Sequence, residues 1–312
     1  MTWALVALFG YFFNAVAAVF DKYLLSDRIP TPAVYAFFVS LFSLFAAVFI
    51  PFGFRVPDGM TIFILLLSGA TFVYGLVALY TAIKQHEVSR VTPLVGTVIS
   101  LVAFLFVFFP GNTIEYAVTG RYVLALILLI LGGLLISFDL PLRRGEHISR
   151  FVVIAGVLMG LSFLLLKQGY SGTNFVSGIV WSRFGMFLAG LSLFVVPTFR
   201  KQIVAQCLGF AHRSERAGST GALFLLNKGI AGVATFLIAY AISLGSVSFV
   251  QALSGMQYLF LLLLMLPLSF RYPDIFGEKL SFLDWAQKVL AIGVIGMGLW
   301  LATQSGITLL TV

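Results

Sequence analysis

Two cations, a few amides and a few hydroxyls are the groups able to do chemistry inside the apolar runs of this chain. Lys228, preceded by Asn227, interrupts a run rich in Gly, Ala and Leu. A lysine toward the centre of a bilayer-crossing helix costs roughly 2.5–3.5 kcal/mol on insertion scales, which makes it a candidate ligand group. It reads equally as a lysine near a helix end, its ammonium snorkelling to headgroups. Arg183, beside Trp181 and Phe184, lies about ten residues into another apolar run. Its planar fork suits bidentate capture of a carboxylate or phosphate; the plainer reading stacks it on Trp181 and pairs it with backbone carbonyls. Lys167 and Gln168 close a run, at the interface or facing an outer mouth.

The uncharged candidates are Asn14, Tyr74, Thr81, Thr92, Ser162, Tyr240, Gln251, Ser254 and Gln257. Buried polar side chains usually have partners, so some of these serve interhelical hydrogen bonds and others a cavity. Gln251 and Gln257 are six apart, off one helical stripe, so at most one is expected to point fully inward. Pro93 either breaks its helix beside a site or sits harmlessly in a first turn.

All 11 acidic residues fall in loops or at the ends of runs. Asp21, next to Lys22, comes nearest to an exception and reads as half of a self-compensated pair. Proton-coupled export of organic cations on an embedded glutamate is therefore disfavoured, and neutral, zwitterionic or anionic cargo is favoured. His86, His147 and His212 fall in connecting stretches and Cys207 is the only cysteine, so neither a metal site, a cofactor nor a disulfide is expected.

These residues must be positioned by helices in lipid. The chain has 312 residues, 61% hydrophobic and 10% charged, with a mean hydropathy of +1.08. Soluble domains carry about 25% charged residues, so a soluble enzyme or secreted scaffold is excluded. The 19 Lys and Arg punctuate short loops, as headgroup anchors do, and form no nucleic-acid stripe. Ten apolar runs of near-bilayer length cover 2–20, 33–54, 60–83, 91–109, 122–138, 151–166, 173–198, 218–246, 247–270 and 289–312. The fold expected is an all-α integral membrane protein of ten transmembrane helices. The first run lacks a basic leader and reads as a retained helix.

Loops after odd-numbered runs hold fourteen Lys and Arg against three on the other face. The positive-inside rule makes the 5–6 and 7–8 loops cytoplasmic and puts both termini outside.

Residues 88–96 and 247–255 match at five of nine positions, opening runs 4 and 9. Copies five spans apart must be inverted, and the hairpin charges agree: Lys84 and Arg90 flank one, whereas Leu244-Gly245-Ser246 carries none. The halves are 1–144 and 145–312. Inverted halves are a transporter architecture, with sites at the repeat interface and access that alternates by rocking. Gly156 with Gly160, and Gly293, Gly296 and Gly298, predict close helix packing.

Gly277-Glu278-Lys279-Leu280 before a glycine-spaced helix, and the openings of runs 4 and 9, resemble the EamA-type drug/metabolite transporters. In the first half the turn reads Gly111-Asn112-Thr113-Ile114, without the glutamate. The Leu226-Asn227-Lys228 run resembles a short motif of nucleotide-sugar transporters in the same superfamily. The resemblance implies a cavity lined by helices 1, 3, 4, 6, 8 and 9. Relatives usually keep both termini in the cytoplasm; here the charges argue the reverse.

The function expected is secondary transport, by export or exchange, of a small polar, zwitterionic or anionic metabolite, by alternating access through a central cavity in a bacterial or archaeal plasma membrane. Lipid and the substrate are its partners, no nucleic acid is, and a monomer suffices. The alternatives are a membrane-embedded enzyme, for which no Gly-x-Ser-x-Gly elbow or carboxylate pair exists, or a channel, for which no ring of charges exists. Without a phosphate-binding loop, a gradient or exchange must drive transport.

Overall fold

Capping side chains set where several helices begin. Asp58 accepts from the Thr61 N–H (3.0 Å) and hydroxyl (2.6 Å), Asn174 from Ser177 N–H (2.9 Å), and Pro32 opens its helix where a missing donor costs nothing. The Thr61 bonds hold the Asp58 carboxyl below its ordinary range, so this cap is lost only as pH falls through that lowered value.

The structure is a computed structural model describing residues 2–25, 31–86, 88–106, 120–137, 149–212, 214–271 and 282–304. It is all-α among these residues. The order is α1 (Thr2–Tyr23), α2 (Pro32–Phe42), a 3₁₀ segment (Ser43–Phe52), α3 (Gly59–Gln85), α4 (Val88–Phe106), α5 (Gly120–Ser137) and α6 (Arg150–Gly172). There follow α7 (Phe175–Ser192), a 3₁₀ turn (Leu193–Val195), α8 (Pro197–His212), α9 (Ser214–Leu244), α10 (Val247–Ala252), α11 (Ser254–Arg271) and α12 (Phe282–Gln304).

Six stretches are long and apolar enough to cross a membrane: Thr2–Tyr23, Pro32–Phe52, Gly59–Gln85, Arg150–Gly172, Phe175–Val195 and Thr220–Leu244. They mark a multi-pass integral membrane protein. Shorter apolar helices lie at Leu94–Leu105, Val123–Leu135 and Val289–Gly298. Each apolar run overlaps a helix within the described residues. The turns at 111–114 and 277–280 and the loop at 139–147 lie outside the described residues.

Small residues let the helices approach. Gly69 of α3 lies on α7, where an added Cβ would fall 2.0 Å from Ser182 O, and Gly185 of α7 lies on Leu66. Gly156 and Gly160 pack on Val98 and Val102 of α4, as expected. Gly298 packs on Leu129, but Gly293 and Gly296 face open space, so the glycines of α12 are not one packing face. Gly169 and Gly172 of α6 meet Leu65 and Thr61 of α3, which sets those helices antiparallel.

One local expectation is corrected. Pro93 neither breaks a helix nor sits in a first turn, since α4 runs through it from Val88. α8, which carries Cys207, runs over Pro197–His212. The Lys167 ammonium donates to the carbonyls of Ile242 (2.9 Å), Ser243 (3.3 Å) and Gly245 (3.0 Å), closing the end of α9.

Candidate functional site

A cavity of about 690 Å³ lies among α1, α2 with its 3₁₀ continuation, α3, α4, α6, α7, α9 and the α10–α11 pair. That size suits a small organic ligand. Runs 1, 3, 4, 6, 8 and 9, which the resemblance implies, contribute as α1, α3, α4, α6, α9 and α10–α11, and α2 and α7 join them.

The 3₁₀ segment builds one wall. With three residues per turn, side chains at i and i+3 eclipse. Phe42, Phe45 and Val48 therefore form one row and Ser43, Ala46 and Phe49 a second, and all six line the cavity. The Phe42 and Phe45 rings stack at 5.6 Å. Gly53, at φ 99°, ends the segment in the left-handed conformation that suits glycine.

Seven of the residues picked from sequence line this cavity: Asn14, Thr92, Arg183, Lys228, Gln251, Ser254 and Gln257. Both glutamines do so, contrary to the expectation of one. The reason is a break at Leu253 between α10 and α11, which resets the helical phase. It seats Ser254 against Gly96 of α4, where a Cβ would meet its Oγ at 2.2 Å. Asn14 Nδ2 donates to Gln257 Oε1 (3.0 Å); Tyr11 OH reaches Val250 O (2.8 Å) and Gln251 Oε1 (3.3 Å). Gln251 Nε2 is buried without an acceptor.

Five others lie elsewhere. Tyr74 is exposed and shares a hydrogen bond with Ser192 (2.7 Å). Thr81 bonds back to Val77 O within α3 (2.7 Å), and Ser162 is tied to Ser68 between α6 and α3. Tyr240 packs on Phe175 at the surface. Asn227 is fully buried behind the cavity wall, where it positions Asp21.

Asp21 is the residue the sequence reading misassigned. It lines the cavity, and its Oδ1 accepts from Lys228 Nζ (2.9 Å), Asn227 Nδ2 (2.6 Å) and the Tyr35 hydroxyl. The two ionic side chains are 13% and 9% exposed. Lys228 also lies over the rings of Tyr35 (4.6 Å), Phe224 (5.4 Å) and Tyr80 (5.8 Å). Asp21 thus pairs across helices with Lys228, and its neighbour Lys22 donates instead to the carbonyls of Ile83 (3.1 Å) and His86 (3.2 Å) at the end of α3. Lys228 does not snorkel; it is a paired cation in the cavity wall.

Arg183 does not stack on Trp181, whose ring meets Phe54 and Phe184. Its guanidinium instead donates to Met186 Sδ (2.7 Å) and lies 6.0 Å from the Phe72 ring. A thioether is a weak acceptor for a group with five donors, and no carboxylate meets Arg183 among the described residues. The charged residues of the lining are Asp21, Lys228 and Arg183, two cations and one anion. Among the described residues no group of three His, Cys, Asp or Glu gathers as metal ligands.

No family model matches the sequence, and no curated protein does. A solved structure described only as "Crystal structure of protein" is similar over 96% of this chain and 98% of that one, with a TM-score of 0.61 and 13% identity. At that identity the likeness is one of fold: this chain is a helical membrane protein whose architecture recurs in a solved structure of nearly the same extent.

Proposed function

We propose that the chain is a secondary transporter of a small metabolite, of the EamA drug/metabolite type, built from two inverted five-helix halves. The observation that carries this reading is the convergence of polar side chains from both halves on one cavity amid membrane-length helices: Asn14 and Asp21 from the first, Arg183, Lys228 and Gln257 from the second. Gated access to such a site is how transporters of this architecture work.

Helix pairing supports the halves. Exchanging each run with the one five places on turns α3 against α6 into α9 against α1, and both pairs pack along their length. It likewise turns α4 against α6 into α11 against α1, again both packed. The exchange fails most plainly at the partners of α3 and α9. α3 packs closely on α7, but its mate α9 meets α2 and the 3₁₀ segment through ring pairs, Tyr35, Phe38 and Phe42 on Phe224 and Phe49 on Phe236. Between these pairs Gly229 and Gly232 have nothing within 4 Å of an added Cβ. In an alternating-access cycle α9 closes on α2 as α3 leaves α7.

The test is reconstitution into vesicles loaded with a defined mixture of amino acids, organic acids, sugars and phosphate esters, with efflux followed by mass spectrometry. At least one class leaves in a protein-dependent manner under a proton, sodium or counter-solute gradient. Folded protein that moves none of them under any gradient overturns the proposal.

A further inference from the structure

Two groups of the cavity wall have donors to spare among the described residues. Arg183 has a thioether and a ring for company, and Gln251, 2% exposed, keeps an unpartnered Nε2. A half-buried cation without an anion is costly, so the wall is complementary to a ligand that brings acceptors and one negative charge. The charge balance agrees. Lys228 is neutralised by Asp21, which leaves Arg183 as the single uncompensated charge of the lining. One carboxylate balances it, and a phosphate dianion overshoots.

The remaining surface is apolar and opens sideways. Phe45 and Val48 line the cavity and are yet 69% and 65% exposed; Leu225 and Val233 across the gap are each 49% exposed. All four sit within the membrane-length stretches Pro32–Phe52 and Thr220–Leu244, whose outward faces would meet hydrocarbon in a bilayer. The gap between the 3₁₀ segment and α9 is therefore a lateral window framed by the Phe42–Phe224 and Phe49–Phe236 pairs, with Gly229 and Gly232 on its sill.

Resting on the transporter reading, we infer that the cargo is an amphipathic monocarboxylate, its head held by Arg183 and its hydrocarbon chain laid along Phe42, Phe45 and Val48 and through the window to the bilayer. Such a molecule reaches the site from the membrane.

Binding is measured on the full chain in phosphatidylcholine nanodiscs, by thermal shift and equilibrium titration, with dodecanoate, 1-dodecanol and dodecyltrimethylammonium as probes. Dodecanoate binds at least tenfold more tightly than either other probe. Arg183→Met loses at least tenfold, and Arg183→Lys, which keeps the charge without the fork, falls between. Gly232→Leu adds a side chain in open space, so it folds; it weakens dodecanoate at least tenfold by filling the window, whereas Tyr74→Phe, outside the cavity, binds as the parent does. Equal binding of the alcohol or the cation, parental binding by Arg183→Met or Gly232→Leu, or no binding of dodecanoate overturns the inference. Solute efflux that persists in the vesicle assay without dodecanoate binding sinks this inference alone, and silence in both assays sinks the transporter reading with it.

Discussion

Lys22 and Lys167 make the same contact at opposite ends of the molecule. Each stands near the end of its helix, α1 or α6, and donates to the last carbonyls of α3 or α9 respectively. Because α3 and α6 are antiparallel, the two capped ends face opposite ways. A helix end in a membrane protein leaves carbonyls without internal donors, and one ammonium satisfies several. The pair is what two inverted copies of one helix arrangement would leave behind.

Replacing Lys167 by Met strips three carbonyls of a charged donor. Unfolding in detergent should show a loss of about 1.5–3 kcal/mol, the usual worth of hydrogen bonds to a charged group. A change under about 0.5 kcal/mol would reduce the contact to a surface accident.

Asp21→Asn and Lys228→Met should each destabilise by about 3–5 kcal/mol, because each leaves its partner as an uncompensated buried charge. The double variant should recover most of that loss while its ligand response stays impaired. Additive losses in the double-mutant cycle would show that the two side chains do not act as a pair.

The two glycine faces should respond oppositely. Gly69→Ala drives a Cβ into the Ser182 carbonyl and should cost at least about 1–3 kcal/mol. Gly232→Ala meets no atom and gains up to about 1 kcal/mol of helix propensity. Gly232→Leu should fold yet slow efflux, by obstructing the closure of α9 on α2. Equal stability losses at both glycines would deny the difference between the packed and the open helix pair.

Orientation follows from charge and is checked with the protein's own thiol. A membrane-impermeant maleimide should miss Cys207 in intact cells and reach it once the membrane is permeabilised. Equal labelling before and after would invert every inside and outside assignment.

Helices were the legible part of this sequence, because apolar length alone dictates them in lipid. The site was half legible. Lys228 and Arg183 stood out by the cost of their burial, but Asp21 sat at the end of a run, and a linear reading assigned it to the neighbouring Lys22 rather than to a lysine 207 residues away. The two glutamines are illegible for a different reason: their spacing predicts an unbroken helix through Leu253, where α10 stops and α11 begins. Phe42, Phe45 and Val48 carried a period-three signal that was readable, though a 3₁₀ segment of 10 residues is uncommon.

Alternation between two arrangements of one cavity is tested most directly by distances across its two helix pairs. Spin labels at Phe45→Cys with Val233→Cys report the window, and labels at Leu67→Cys with Leu188→Cys report the packed pair α3 and α7, both in a Cys207→Ser background. Each pair should give two distance populations, with the window shortening in the conditions that lengthen the other pair. A single unchanging distance at both positions, with and without solute gradients, would contradict alternating access.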